Sequence, residues 1–545
     1  MTTEIAAVDW LIIALYCAGL LAMAYWLSRR QFDREDYYVG GRDVGPWPVG
    51  LSIMATQCST NSILGAPAFV AFAAGGGLVW LQYELAVPLA MIVIMLFMMP
   101  VFRHFQLISV YAYLERRFDV TTRLVLSGLF MFVRAFATAV TVYSVAIVID
   151  LITGLGFVGA VLILGVFTVI YDVLGGIRGV IYSDVIQLLV LVVMLVIVLV
   201  SLVGAAGGLD AMWQSFEPDR RVTLDFTSHG LGDGETFGFW PMLLGGLFLY
   251  VSYYGCDQSQ VQRQLSSRSI DGTNSALFIN GLFRFPLVFL YCMVGVGIAV
   301  YATNTPAFVE SLPAKAGSPE YNLAVPLYMI NALPVGLVGL SLVALFAAAM
   351  SSLDSVLNSL SATTMEDYVR RFHKGEWTAR RELVISRSLT AAWGAVTVVM
   401  AFYVGDIAST VLEAINKIGS LANGPILGVF ALGLLTRRVA GMQAIAGLLA
   451  GIAFNGLCWL YLPEVSWLWW NVFGFAITCL TAIALSFLNA KGVRAAGREY
   501  GASHVHEDAI RAVLHEEARI NWYRRSGWLL AWFVALAGLL AALGS

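Results

Sequence analysis

A run of apolar stretches, most of about twenty residues or more and each closed by a short charged gap, constrains this chain more than any other feature. Crossing the hydrocarbon core of a bilayer takes about twenty largely apolar residues in a helix. On that rule fourteen spans are predicted, at 6–28, 45–74, 79–102, 124–153, 157–174, 180–206, 240–255, 274–301, 333–362, 388–404, 407–435, 440–462, 467–488 and 528–543. Composition agrees, because only 12% of the 545 residues are charged, about half of what a water-facing surface of this size requires. The expected fold class is all-α and integral to a membrane. The first stretch has no positive leader and no small-residue cleavage site, so it reads as a retained helix.

Charge tests the count. With the N-terminus outside, alternate gaps face the inside, and 26 of the 32 Lys and Arg fall in them. Three fall in the outside gaps and three, Arg134, Arg284 and Lys417, lie within spans. That one-sidedness is the positive-inside rule, and an extra or missing helix would scramble it downstream. Both termini are then expected outside, in a multi-pass protein of the cell membrane. No gap is long enough for a separate domain. The longest, 489–527, reads as a cytoplasmic linker whose three histidines lack metal-ligand spacing. Residues 154–159 (GLGFVG) spell a dinucleotide fingerprint by letter, but they sit in a turn between spans with no strand before them. A net charge of −3 argues against a nucleic-acid partner. The six cysteines stand singly in apolar segments and read as buried thiols. Neither HExxH nor GxSxG occurs, so an enzyme is not expected.

Two spans are unfit to be plain helices. The second carries Gln57, Cys58, Ser59, Thr60, Asn61 and Ser62 in mid-span, then Gly65 and Pro67; the seventh ends in Gly255, Cys256, Asp257 and Gln258. Backbone that leaves a helix at membrane depth must be buried in protein or line a wet cavity. Interrupted helices at matching positions of two halves mark inverted-repeat transporters. These breaks lie five spans apart, so 45–206 and 240–435 are read as two five-helix repeats. An accessory helix at 6–28 precedes them, and three more follow at 440–543. In the ninth span Ala348, Ser351, Ser352, Ser355 and Ser359 recur along one helical face, beside Asp354, while Asp184 sits in the sixth. A serine face packs helices together in many membrane proteins. With two intramembrane carboxylates it also suits a small hard cation.

Four segments, 180–187 (VIYSDVIQ), 254–263 (YGCDQSQVQR), 347–359 (AAAMSSLDSVLNS) and 365–368 (MEDY), occur in order and with matching spacing. On them the chain resembles the sodium/solute symporter family, which includes sodium–glucose, iodide, multivitamin, monocarboxylate, proline and sialic acid symporters. The resemblance covers about residues 10–438. It implies a leucine-transporter-type 5+5 inverted repeat that works by alternating access with Na+ as coupling ion. It further implies a first sodium site on the backbone oxygens of Ala55, Cys58 and Ala348 and the hydroxyls of Ser351 and Ser352. A second sodium site would use Asp184, Asp354 and Ser355. The family usually has Ser or Thr where this chain has Asp354, which leaves the number of sodium ions, one or two, open.

By the same resemblance the substrate pocket lies between the broken helices and spans three, four and eleven. Gln57, Thr60, Asn61, Ser62, Gln82, Tyr83 and Glu84 are its candidate contacts. Tyr253 corresponds to the aromatic inner gate of the sugar symporters and Asn416 to a sugar-contacting glutamine. Arg134 stands where sialic acid transporters meet the substrate carboxylate; with Lys417 it points to an anion such as a monocarboxylate, vitamin or sialic-acid-like solute. The competing reading is that each of these two neutralises an aspartate instead, Arg134 with Asp184 for example. The expected function is a sodium-coupled symporter importing a small organic solute and working as a monomer in the bilayer. A neutral hexose is the alternative substrate, and a passive channel or a transporter-like sensor the alternative class.

Overall fold

The computed structural model describes residues 5–58, 60–315, 317–404, 411–488 and 522–544, the side chains of 61, 315, 318, 411–418 and 522 excepted. The predicted linker 489–527 lies almost wholly outside the described residues. Apart from a two-residue ribbon pairing Ala314–Lys315 with Ser318–Pro319, regular structure among them is helical. Ten helices among the described residues are long and apolar enough to cross a membrane.

How deeply each helix is buried sorts them into an inner and an outer set. Leu78–His104, Ile270–Asn304 and Leu337–Phe372 hide 72, 72 and 78% of their most apolar windows inside the protein. Ala7–Ser28 and Tyr523–Leu543 hide 17% each, and Ala379–Val404 and Trp469–Leu488 28%. Apolar side chains turned outward around a buried polar centre are what a hydrocarbon solvent selects.

The predicted pair 157–174 and 180–206 forms two helical arms joined at a kink, together Phe157–Ala205, 49 residues. Straight, it would measure about 74 Å, more than twice the roughly 30 Å of a bilayer core. It turns at Gly176, whose φ of 55° and ψ of −163° belong to glycine alone. An added Cβ there would stand 2.8 Å from the Tyr37 ring and 2.9 Å from the Tyr37 carbonyl. Arg178 closes the bend by donating from Nε and Nη2 to the Gly40 carbonyl at 3.0 and 2.7 Å.

Both breaks are present. The first broken span consists of Pro46–Gln57 and Thr60–Phe72, and Cys58 leaves the helix with φ −79° and ψ 62°. The second runs through Pro241–Gly245 and Gly246–Cys256, becomes extended at Asp257, and resumes as Gln258–Leu265. Sequence placed this last segment in an inside gap, with Arg263 as a loop charge. It is instead a helix with all eight residues buried. Its glutamines brace the surrounding backbone: Gln258 Nε2 donates to the Ile108 carbonyl at 2.6 Å, Gln262 Nε2 to that of Tyr38 at 2.7 Å and Gln264 Nε2 to that of Tyr254 at 2.7 Å. Gly295 lets Ile270–Asn304 press against the first broken span, since a Cβ there would meet Pro67 backbone at 2.9 Å.

Gly176→Ala is expected to lower stability by about 2–3 kcal/mol, read as a lower thermal-unfolding midpoint in detergent. Gly179→Ala, with open space around its Cβ position, is the matched control and should leave the midpoint in place. Equal midpoints for the two variants would show that the bend does not depend on Gly176.

Candidate transport site

The first break frees backbone oxygens, and the Leu337–Thr363 helix brings serine hydroxyls to them. The Cys58 amide donates back to Ala55 at 2.9 Å. Ser352 Oγ reaches the Thr56 carbonyl at 3.4 Å and that of Ala348 at 3.5 Å, and Ser351 Oγ reaches Ala348 at 3.2 Å. These O–H···O distances are longer than the usual 2.7–2.8 Å or so. The two hydroxyls are therefore weakly held, and their oxygens are available to a hard cation. The chemistry of this donor set, carbonyl and hydroxyl oxygen throughout, fits sodium.

Asp184, Asp354 and Ser355 are buried together, and the structure adds partners that sequence did not assign. Ser52 Oγ donates to Asp184 Oδ2 at 2.5 Å, and Arg263 Nη2 approaches the same oxygen at 3.3 Å. Arg263 also donates from Nε to Ser52 Oγ at 2.8 Å and from Nη2 to Ser355 Oγ. Thr56 Oγ1 lies 3.2 Å from Ser355 Oγ. Asp354 accepts from the Tyr171 hydroxyl, from Ser183 Oγ at 3.5 Å and from Ser355 Oγ at 3.2 Å. A carboxylate buried in protein stays ionised only if paired and hydrogen-bonded; Asp184 has a guanidinium, whereas Asp354 has hydroxyls.

Beside these groups lies a chamber of about 800 Å³. Gln57, Ser62, Tyr83, Glu84, Arg134 and Tyr253 line it, and so do Thr56 and Ser352, which meet between the break and the serine helix. Gln82 does not line it: its amide donates to the Phe237 carbonyl at 2.7 Å and accepts from the Asp225 amide at 3.1 Å, so it fastens the loop before the second broken span. Thr60 is fully buried, and its hydroxyl has no partner among the described residues. The side chains of Asn61, Asn416 and Lys417 lie outside the described residues.

Tyr253 also lines a second cavity of about 210 Å³, together with Tyr111, Cys256 and Asp257. Its hydroxyl accepts from Gln260 Nε2 at 2.8 Å, and the Arg134 guanidinium lies over its ring, 5.0 Å from the centroid. Arg134 does neutralise an aspartate, but not Asp184. Its partner is Asp257, reached from Nε at 2.5 Å and also from Nη2. Asp257 serves the second break as well, accepting from the Ser259 amide at 2.8 Å to cap the next helix. Sequence marked Asp257 only as part of a break, because the pairing spans 123 residues.

Residues 37–451 match the model of the sodium:solute symporter family. The sodium/sialic acid symporter NanT of Aliivibrio fischeri is 31% identical over 82% of this chain and 86% of its own length. The human sodium-coupled monocarboxylate transporter 1 is 30% identical over 78% of this chain and 68% of its own. Among solved structures, a Na+-coupled sialic acid symporter in a substrate-bound outward-open state superposes with a TM-score of 0.78. It is 25% identical, with 89% of this chain and 98% of that one covered.

Arg263→Met should leave Asp184 without its buried counter-charge and destabilise the fold by about 3–5 kcal/mol. Adding Asp184→Asn should recover more than half of that loss. Thermal unfolding of the single and double variants in detergent checks this, and a double variant no more stable than the single would mean the two groups are not a functional pair.

Proposed function

The chain belongs to the sodium:solute symporter family, and from that premise we propose which of its atoms hold the ion and what kind of solute it carries. It is a sodium-coupled transporter rather than an enzyme, a multi-pass membrane protein whose coupling ion is sodium. In our reading one Na+ is held by the backbone oxygens of Ala55, Cys58 and Ala348 with the hydroxyls of Ser351 and Ser352. A second is held by Asp184, Asp354 and Ser355. The observation that carries this is the contact of Ser352 with Thr56, which joins the serine helix to the first broken span while both residues line the chamber. An ion bound there ties the first broken span to the serine helix and at the same time shapes the space the solute enters. Each sodium moving inward down 100 mV contributes about 2.3 kcal/mol before its concentration gradient is counted. Coupling requires that sodium prefer one conformation; equal affinity for both would drive nothing.

The reading of fourteen spans has support from four features beyond the ten long helices, and the arginine-poor gaps support both termini lying outside. The four features are the bend at Gly176, the two broken spans and the apolar helix Gly419–Leu435. Two inverted repeats, 45–206 and 240–435, each begin on a broken span, and 6–28 and 440–543 are accessory. The chamber is bordered by Phe72, Phe237, Tyr321 and Trp467, all at or near arginine-poor gaps, so this conformation faces outward, with Tyr253 and the Arg134–Asp257 pair as its floor. Inward opening would then require Tyr253 to move and join the two cavities. Every group in this scheme comes from one chain, which suits a monomer in the cell membrane.

For the solute we propose a small organic anion: a monocarboxylate, a vitamin or a sialic-acid-like acid. Two arginines line the chamber, and two relatives are named for sialic acid and monocarboxylates. A neutral hexose is the second reading. It is favoured by the pairing of each arginine with a carboxylate, Arg134 with Asp257 and Arg284 with Glu84.

Replacing Ser351 and Ser352 together by Ala is expected to abolish the sodium dependence of uptake into proteoliposomes. The uptake assay, run with and without a sodium gradient against sialic acid, monocarboxylates and sugars, also selects the solute. Uptake by the double variant that remains as sodium-dependent as the parent would refute the first site.

A further inference from the structure

The chamber wall carries a second buried ion pair that the transport scheme above leaves without a task. Arg284, on the Ile270–Asn304 helix, donates from Nε to Glu84 Oε2 at 3.2 Å. The other carboxylate oxygen of Glu84 accepts from the Tyr250 hydroxyl at 3.1 Å. Only 6% of the Arg284 side chain and 1% of that of Glu84 are exposed. Arg284 Nη1 donates to the Cys58 sulfur at 2.9 Å. Nη2 has no partner among the described residues. Two turns further along the same helix, the buried Tyr291 hydroxyl meets no nitrogen or oxygen among them, and its polar neighbour is the Cys58 thiol that Arg284 also contacts. Arg284 and Tyr291 both line the chamber.

A guanidinium offers five N–H donors, and a neutralising pair ordinarily uses two of them against both oxygens of one carboxylate. Here one N–H meets one oxygen, and Glu84 gives its second oxygen to a tyrosine. Arg134 differs: two of its nitrogens go to Asp257, and its face lies on the Tyr253 ring. Arg134 is thus engaged in closing the floor, while Arg284 keeps donors directed at the space the solute occupies. A buried hydroxyl held only by a thiol is weakly satisfied, and a carboxylate entering the chamber would accept from Tyr291 as well as from the unengaged Nη2 of Arg284.

We propose that Arg284, with the Tyr291 hydroxyl beside it, is the subsite that receives the carboxylate of the transported solute, and that Glu84 competes for it when the chamber is empty of solute. This rests on the anion reading of the substrate. It also gives the solute a route to the ion, because Arg284 holds the thiol of Cys58, whose carbonyl is one of the proposed sodium ligands.

The test is sodium-driven uptake into proteoliposomes of the full chain. The radiolabelled probes are lactate, N-acetylneuraminate, lactamide and glucose, and sodium-dependent thermal stabilisation by the same four is measured in parallel. The parent protein should take up at least one of the acids and discriminate against the amide. Arg284→Gln should raise KM for that acid by roughly 30-fold or more and weaken the discrimination. Glu84→Gln, which frees Arg284, should lower KM several-fold, and this variant decides the matter if Arg284→Gln fails to fold. The double variant separates a reader from a structural pair: it should stay as impaired as Arg284→Gln. Recovery of the parent KM in the double variant, or a Glu84→Gln KM that is unchanged or raised, overturns the subsite while leaving the anion reading standing. Response to glucose but to neither acid, or to none of the four, overturns the anion reading and the subsite with it.

Discussion

A bilayer offers no water to satisfy a backbone group that leaves its helix, and the rest of this structure depends on how that demand is met. The chain breaks at Cys58 and at Asp257. Each break is enclosed by protein and closed by side chains: Ser62 Oγ reaches the Gln57 carbonyl at 3.4 Å across the first, and the Asp257 carboxylate caps the second. The oxygens that remain at the first break are the raw material of a cation site. The helix after the second break, polar in sequence yet wholly buried, is held by glutamines that bond to backbone of three different segments. Outer helices that are apolar and exposed shield this centre from lipid.

Charge follows the same logic. Among the described residues three arginines stand at the transport centre, each with a carboxylate from a distant part of the chain: Arg134 with Asp257, Arg263 with Asp184 and Arg284 with Glu84. Removing one member of such a pair is costly, because the other is left charged where nothing can solvate it. The three pairs are not equivalent. Arg263 is enclosed on all sides and ties Ser52, Ser355 and Asp184 into one network. Arg134 closes the floor of the chamber. Arg284 is paired through a single nitrogen and reaches the chamber. Asp354 has no arginine partner among the described residues and is held by the hydroxyls of Tyr171, Ser183 and Ser355.

How much of this was legible beforehand depended on the distance over which each feature is decided. The apolar stretches and the polar run 57–62 are local, and helices and breaks were both placed from them. The pair 157–174 and 180–206 was read as two spans, and the structure has two helical arms that meet at a kink at Gly176. Gln82 looked like a pocket residue by its place in the motif, yet its amide faces the loop at 225–237. Arg263 was counted as a loop charge because its neighbours are polar, and only packing reveals that glutamines, too, fill a core when the backbone around them needs donors.

Sequence by itself determined an all-helical membrane chain, the two places where helices break, the serine face and the family to which these motifs belong. All of these are consequences of hydropathy, periodicity and short motifs, whose physics acts within one or two helical turns. Tertiary structure alone decided which arginine answers which carboxylate, which donors stay unengaged in the chamber, and that Tyr253 stands between two cavities. Those outcomes depend on contacts between groups 79 to 200 residues apart, which no local pattern encodes and which only the packing of helices brings within reach.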